Sequence, residues 1–308
     1  MSTTPDMRVN IAGVELRSPI IAASGTFGYG VEFEEILSVD RIGAFITKGL
    51  SLEPMAGNPM PRIVETPDGM INAIGLQNVG VEAFVRDKLP GIRRMRGAVC
   101  IANVFGFTIE DCIGVIQHLN DADGIAMYEL NASCPNTKHG GMVFGTDPEA
   151  LGELVSRCKA VSKRPLMVKL SPNVTNIAGM ARVAEAAGAD AVSLVNTFLS
   201  LAIDIETRRP RIANVTGGLS GPAIKPIAVR MVWQVAQAVK IPVIGLGGVM
   251  RAEDAVEFLL AGATVVQVGT ASYADPRAVE KIATGLAKWC AKHGVSKVKD
   301  LIGGLKLA

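Results

Sequence analysis

Eight short runs of β-type residues, each ending in a residue with chemistry or in a glycine turn, constrain this chain more than any other feature. Residues 20–23 end in Ser24, 44–47 in Lys48, 99–102 in Asn103, and the short apolar run 125–130 in Asn131. Residues 166–168 end in Lys169, 191–195 in Asn196 and Thr197, 242–244 in Gly245 to Gly248, and 265–268 in Gly269 and Thr270. Most of the intervals have helical period. Asp147-Pro148 reads as a cap with proline in the first turn, ahead of an apolar stripe of Leu151, Leu154, Val155, Cys158 and Val161. Residues 180–187 stop at Gly188 and residues 252–260 near Gly262, the usual glycine stop signal. Repeated strand-helix alternation with near-continuous apolar strands predicts a parallel (β/α)8 barrel, whose active site lies at the C-terminal strand ends.

At 308 residues the chain exceeds a barrel of about 250 by an N-terminal segment and some long loops. No linker or low-complexity tract divides it, so residues 1–308 are expected to form one domain. Residues 9–16 read as a small N-terminal β-hairpin closing the barrel bottom, turning at Ala12-Gly13. A net charge of +2 and 5% aromatics give no reason to expect nucleic acid. No leader and no stretch of about 18 apolar residues is found, which predicts a cytoplasmic chain with no membrane partner. Cys100, Cys112, Cys134, Cys158 and Cys290 form no Cys-x-x-Cys pair, which argues against a disulfide framework, a zinc site or an iron–sulfur cluster within this chain. His118, His139 and His293 make no metal set.

Residues 131–136, Asn-Ala-Ser-Cys-Pro-Asn, put the Cys134 thiol and the amides of Asn131 and Asn136 just past the fourth run. A thiol framed by groups that orient a planar polar ligand is a candidate acid/base or nucleophile. The glycine-bearing residues 139–145 that follow read as a lid, with His139 in it. Residues 25–30 are glycine-rich but lack the dinucleotide spacing, and are expected to be a flexible first loop near a ligand. Gly247-Gly248 and Gly269-Thr270 follow strands seven and eight, where barrels commonly bind phosphate, and Ser220-Gly221 in the preceding long loop could add donors. A phosphate at one rim, lysines at strands two and five, and asparagines at strands three, four and six suit a phosphorylated planar cofactor with a second flat ligand stacked on it. Lys169 could hold the charge of a reduced isoalloxazine. The rival readings are a Schiff base at Lys48 or Lys169, as in aldolase-type barrels, and a flavin-binding barrel without turnover.

Residues 47–52 (Thr-Lys-Gly-Leu-Ser-Leu), 57–62 (Gly-Asn-Pro-Met-Pro-Arg), 71–78 (Ile-Asn-Ala-Ile-Gly-Leu-Gln-Asn), 133–136 (Ser-Cys-Pro-Asn) and 245–248 resemble the dihydroorotate dehydrogenase family over essentially the whole chain. The cysteine at 134 resembles the soluble class 1 branch. The membrane-associated branch uses serine and carries an extra N-terminal segment not seen here. Residues 136–141 and 71–76 look like the NAD-linked type B, whereas the fumarate-linked form has a different lid sequence. The resemblance implies an FMN enzyme of pyrimidine biosynthesis that oxidises dihydroorotate to orotate. It implies FMN contacts from Ser24, Lys48, Gly49, Asn103, Asn131, Lys169, Val195, Gly221, Gly247, Gly248, Gly269 and Thr270. It implies pyrimidine contacts from Lys48, Asn72, Ala73, Ile74, Gly75, Leu76, Asn131, Asn136, Asn196 and Thr197. Cys134 would take the proton from the ring carbon next to the carbonyl while hydride passes to flavin N5. Type B further implies a partner subunit carrying FAD and a [2Fe–2S] cluster, around a homodimer core within a heterotetramer.

Overall fold

The computed structural model describes residues 4–133 and 144–307. Its centre is a closed barrel of eight parallel strands, arranged around the ring in sequence order. Barrel strands one to eight are Ile20–Ala22, Phe45–Ile46, Cys100–Val104, Met127–Asn131, Leu166–Lys169, Ala191–Leu194, Val243–Leu246 and Val265–Val268. All eight overlap the expected runs, although strand three continues two residues past its expected end, so that Asn103 lies within it. Pairing of Val266 with Ile20 closes the ring. Every strand residue is buried except Asn131, which is half-buried at the end of strand four. Burial on both faces is what a parallel sheet covered by helices demands, and it explains why these runs do not alternate.

α-Helices follow strands two to eight. Strand one is followed only by the 3-10 turns Val31–Phe33 and Val39–Arg41. Asp147 accepts from the Ala150 N–H at 2.8 Å and starts helix Pro148–Val161, as its sequence predicts. Helix Ile177–Ala186 begins three residues before the expected stripe, because the Asn176 side chain caps the Gly179 N–H at 2.9 Å. Helix Ala252–Leu260 matches its expectation. The hairpin Val9–Ile11 and Val14–Leu16 turns at Ala12 and Gly13, both with positive φ (48° and 90°), as a two-residue hairpin loop requires. A cavity lined by Arg8, Asn10, Glu15 and Thr264 sets it at the N-terminal end of strand eight. The residue 25–30 loop expected to be flexible is anchored, since the buried Phe27 stacks on Phe33 at 4.0 Å and the Tyr29 hydroxyl accepts from the Val79 N–H at 3.2 Å.

One layer is absent from the expectation. Ser220 does not lie in a loop. It ends a strand, Thr216–Ser220, in a four-stranded antiparallel sheet with Phe198–Leu201, Gly69–Asn72 and Ile63–Thr66. The excursions after barrel strands two and six meet in this sheet, which carries its own small core of Val64, Ile71 and Ile212. Ile63–Thr66 and Gly69–Asn72 form a local hairpin about Pro67-Asp68, whereas the glycine-bearing strand Thr-Gly-Gly-Leu-Ser has weak β-preference and is held by pairing with Gly69–Asn72 about 150 residues away in sequence.

Candidate active site

Strand ends one and two put Ser24 beside Lys48. The Ser24 hydroxyl donates to the Thr47 carbonyl at 2.8 Å, and a methyl placed on Gly25 would lie 4.0 Å from Lys48 Nζ. Burial pushes the Lys48 ammonium pKa below its usual range, and the neighbouring Arg62 cation pushes the same way. Arg62 in turn donates to the Gln77 side chain at 2.6 Å and, through its backbone carbonyl, holds the Ala73 N–H at 2.8 Å. Residues 72–76 are therefore tied down over strand two. Asn58 adds a bond from its amide to the Ala73 carbonyl at 3.0 Å, and its N–H donates to the Ile74 carbonyl at 2.9 Å. Leu76 has φ 56°, a left-handed geometry uncommon for a residue with a side chain.

Opposite them lies an amide cluster from strand ends four and six. The Asn196 amide donates to Ser133 Oγ at 2.5 Å and to Asn131 Oδ1 at 3.4 Å, while Ser133 donates to the same Asn131 oxygen at 2.8 Å. The Asn196 oxygen accepts from the Thr197 N–H at 2.9 Å. The antiparallel sheet reaches this cluster: Asn72 pairs with Gly218, and a methyl on Gly218 would strike Thr197 Oγ1. Lys169, paired in register with Asn131, is buried and makes no hydrogen bond or ion pair with the described residues. Asn72, Asn131, Lys169, Asn196 and Thr197 are thus brought to one mouth from four separate parts of the chain.

The glycine rim forms as well, with the antiparallel sheet in it. Gly247 and Gly248 follow strand seven at φ 130° and 78°, and a methyl on Gly248 would lie 2.8 Å from the Gly221 carbonyl and 3.0 Å from the Lys225 nitrogen. A methyl on Gly247 would lie 3.3 Å from Val195 Cγ2, so Val195 borders the same rim. The Thr270 hydroxyl donates to Ser220 Oγ at 2.8 Å, joining strand eight to the sheet strand that ends at Gly221. Gly269 has ordinary space around it, its nearest neighbour being Ala23 at 3.5 Å. Helix Lys225–Ala236 starts beside the rim, continuing the 3-10 turn Pro222–Ile224, with the Lys225 N–H donating to the Pro222 carbonyl and the Ile224 N–H to the Gly221 carbonyl.

Cys134, Asn136 and His139, with the lid up to residue 143, lie outside the described residues. What the sequence reading missed is a polar group inside the barrel. The fully buried Glu129 of strand four accepts from Asn103 Nδ2 at 2.7 Å, Ser193 Oγ at 2.8 Å and Gln267 Nε2 at 2.9 Å. The signal was present, since a carboxylate, a hydroxyl and an amide interrupt three runs otherwise read as apolar strand. Thr47, fully buried, also belongs here, its hydroxyl accepting from the Asn103 N–H at 3.1 Å.

A mouth with amides on one wall and a glycine rim on the other places the chain among the barrel enzymes that work at their strand ends. The profile of the family described as dihydroorotate dehydrogenase matches residues 6–289. Among curated proteins, a dihydroorotate dehydrogenase B (NAD(+)) catalytic subunit from Geotalea uraniireducens is 58% identical over 98% of this chain and 98% of its own length. One of the same name from Pelobacter propionicus is 56% identical over 98% of this chain and 99% of its own. A protein from Solibacter usitatus provisionally named dihydroorotate dehydrogenase A (fumarate) is 58% identical, covering 98% and 99%. Among solved structures, the dihydroorotate dehydrogenase of Eimeria tenella in complex with ferulenol shares the fold, with TM-score 0.82 and 22% identity, covering 97% of this chain and 88% of that one. The chain belongs to the dihydroorotate dehydrogenase family, a family of FMN-dependent oxidoreductases. Membership retires the Schiff-base reading, although a buried lysine of lowered pKa would have suited it. Among the described residues no helix is long and apolar enough to cross a membrane.

Proposed function

We propose that residues 1–308 form one FMN-binding catalytic domain that oxidises dihydroorotate to orotate and passes the electrons to NAD through a partner subunit. The convergence of Asn72, Asn131, Asn196 and Thr197 on one mouth, beside the glycine rim, carries the reading. A flavin mononucleotide fits two observations: the Asn103 oxygen is buried without a hydrogen-bond partner among the described residues, and the rim of Gly221, Gly247 and Gly248 leaves a cradle that side chains would fill. In this reading Gly221, Gly247, Gly248, Gly269 and Thr270 hold the phosphate, and Ser24, Lys48, Gly49, Asn103, Lys169 and Val195 surround the ring. Bound FMN supplies the hydride acceptor. Lys169 places a cation against it. Asn72, Asn131, Asn136, Asn196 and Thr197 orient the pyrimidine edge, with residues 73–76 closing over it and Lys48 between the two ligands. Cys134 removes the substrate proton.

The acceptor rests on the names of the relatives, which include NAD-type catalytic subunits and one fumarate-type protein. The absence of a dinucleotide fingerprint supports a separate electron-transfer subunit with FAD and a [2Fe–2S] cluster. A homodimer core within a heterotetramer is supported by apolar residues exposed on the antiparallel sheet and on the separate small hairpin of Ile203–Asp204 and Arg209–Pro210, such as Leu199 at 69% and Ile205 at 81%. A cytoplasmic location completes the proposal, supported by the free, buried state of Cys100, Cys158 and Cys290. Steady-state assays of the isolated chain decide the acceptor. Dihydroorotate should reduce artificial acceptors but not NAD, and adding the partner should restore NAD reduction. Efficient fumarate turnover by the isolated chain would assign it to the fumarate-linked type instead.

A further inference from the structure

The Glu129 carboxylate is the hub of a set of bonds inside the barrel, in which Asn103 Oδ1 and Gln267 Oε1 are left without a hydrogen-bond partner among the described residues. Strands four and eight stand on opposite sides of the ring, so the 2.9 Å bond from Gln267 to Glu129 crosses the interior. Both Glu129 oxygens act as acceptors, because the amide groups of Asn103 and Gln267 can reach them only with their donor ends. One consequence concerns Asn103. An asparagine amide can ordinarily turn over, exchanging its oxygen and nitrogen. Here the 2.7 Å bond to Glu129 fixes the nitrogen inward and forces the oxygen to the other side. That oxygen is buried and has no partner among the described residues, and it lies 3.0 Å from where a methyl on Gly49 would stand, just past strand two at the mouth. A buried acceptor without a donor is costly, so it marks a place where a ligand N–H belongs.

We propose that Glu129 is a positioning residue: it locks the Asn103 amide so that Oδ1 faces the cofactor pocket as an acceptor for the one N–H of the oxidised flavin ring, at N3. The inference rests on the FMN reading above. A carboxylate is suited to the task because it offers no donor, so the amide has a single satisfied orientation. An apolar residue in its place leaves Asn103 free to turn its own NH2 toward the ring N–H, which sets donor against donor.

The test measures the affinities of FMN and of 3-methyl-FMN, which lacks that N–H, for the full-length apoprotein by flavin-fluorescence titration. The wild-type chain should prefer FMN about tenfold or more, the effect of leaving a buried acceptor unsatisfied. Glu129→Leu should reduce that preference about fivefold or more, because the methyl's bulk is common to both proteins and only the oriented acceptor is lost. A purely structural role would lower the melting temperature and weaken both flavins by the same factor, and an unchanged preference in folded Glu129→Leu overturns the proposal. Should Glu129→Leu not fold, Asn103→Ala reads the same acceptor, and a preference retained there also overturns it. A wild-type chain that binds neither flavin overturns the functional reading, and the inference with it.

Discussion

Replacing Gly248 by alanine tests the rim through its backbone geometry. Gly248 has φ 78°, where a residue with a Cβ is strained by about 1–2 kcal/mol. The new methyl would also stand 2.8 Å from the Gly221 carbonyl and 3.0 Å from the Lys225 nitrogen. Both are backbone atoms, so relief requires the strand-seven turn to part from the antiparallel sheet, and such overpacking costs about 1–3 kcal/mol. Together the two effects amount to about 3 kcal/mol, which at roughly 2 °C per kcal/mol for a chain of this size lowers Tm by about 6 °C. Gly13→Ala is the control, since Gly13 has φ 90° with nothing within 4 Å of an added methyl. It should carry only the backbone strain, about 2–4 °C by the same conversion. Thermal unfolding of both apoproteins, followed by circular dichroism, measures the difference, and FMN titration measures its consequence. Gly248→Ala should bind FMN at least about tenfold more weakly, while Gly13→Ala binds it as the wild type does. Equal losses of Tm in the two variants would refute the close approach. Unchanged FMN affinity in Gly248→Ala would refute the phosphate site.

Two further outcomes follow from the lysine and the thiol. Lowered by burial and then by Arg62, the Lys48 pKa in the folded chain lies below its value of 10.5 in a free side chain, so the charged amine destabilises the apoprotein at pH values below the lowered pKa and ceases to do so as pH rises toward 10.5. Lys48→Met should therefore raise the apoprotein Tm near pH 7, with the gain shrinking as pH approaches 10.5, and a gain independent of pH would contradict that account. Cys134→Ser should leave FMN bound and slow flavin reduction by dihydroorotate severely near neutral pH, with partial recovery at higher pH, because a serine hydroxyl ionises far less readily than a thiol of pKa about 8.5. Stopped-flow reduction at several pH values measures this, and unchanged rates would remove Cys134 from the chemistry.

Much of the barrel is legible in the chain. The eight strands were readable because each is buried on both faces and so appears as an unbroken apolar run, and the caps at Asp147 and Gly188 because capping is local chemistry. The mouth was readable for the same reason, since strand ends are known once strands are: Ser24, Lys48, Asn131, Lys169 and Asn196 lie at or just past strand ends, while Asn103 lies one residue inside the end of strand three. The start of helix Ile177–Ala186 was misjudged because an apolar stripe marks the buried face, whereas Asn176 sets the first turn.

The sequence by itself determined the periodicities, the strand-end chemistry and the glycines that only a turn or a close approach would use. Tertiary structure alone decided that residues 63–72 and 198–220 form one sheet, because the local hairpin of Ile63–Thr66 and Gly69–Asn72 joins Thr216–Ser220 across about 150 residues of sequence, a pairing that no local pattern specifies. It also decided what Glu129 is. A carboxylate in an apolar run has no meaning until strands three, six and eight bring Asn103, Ser193 and Gln267 to it, since a buried charge is stable only where donors from elsewhere in the fold converge on it.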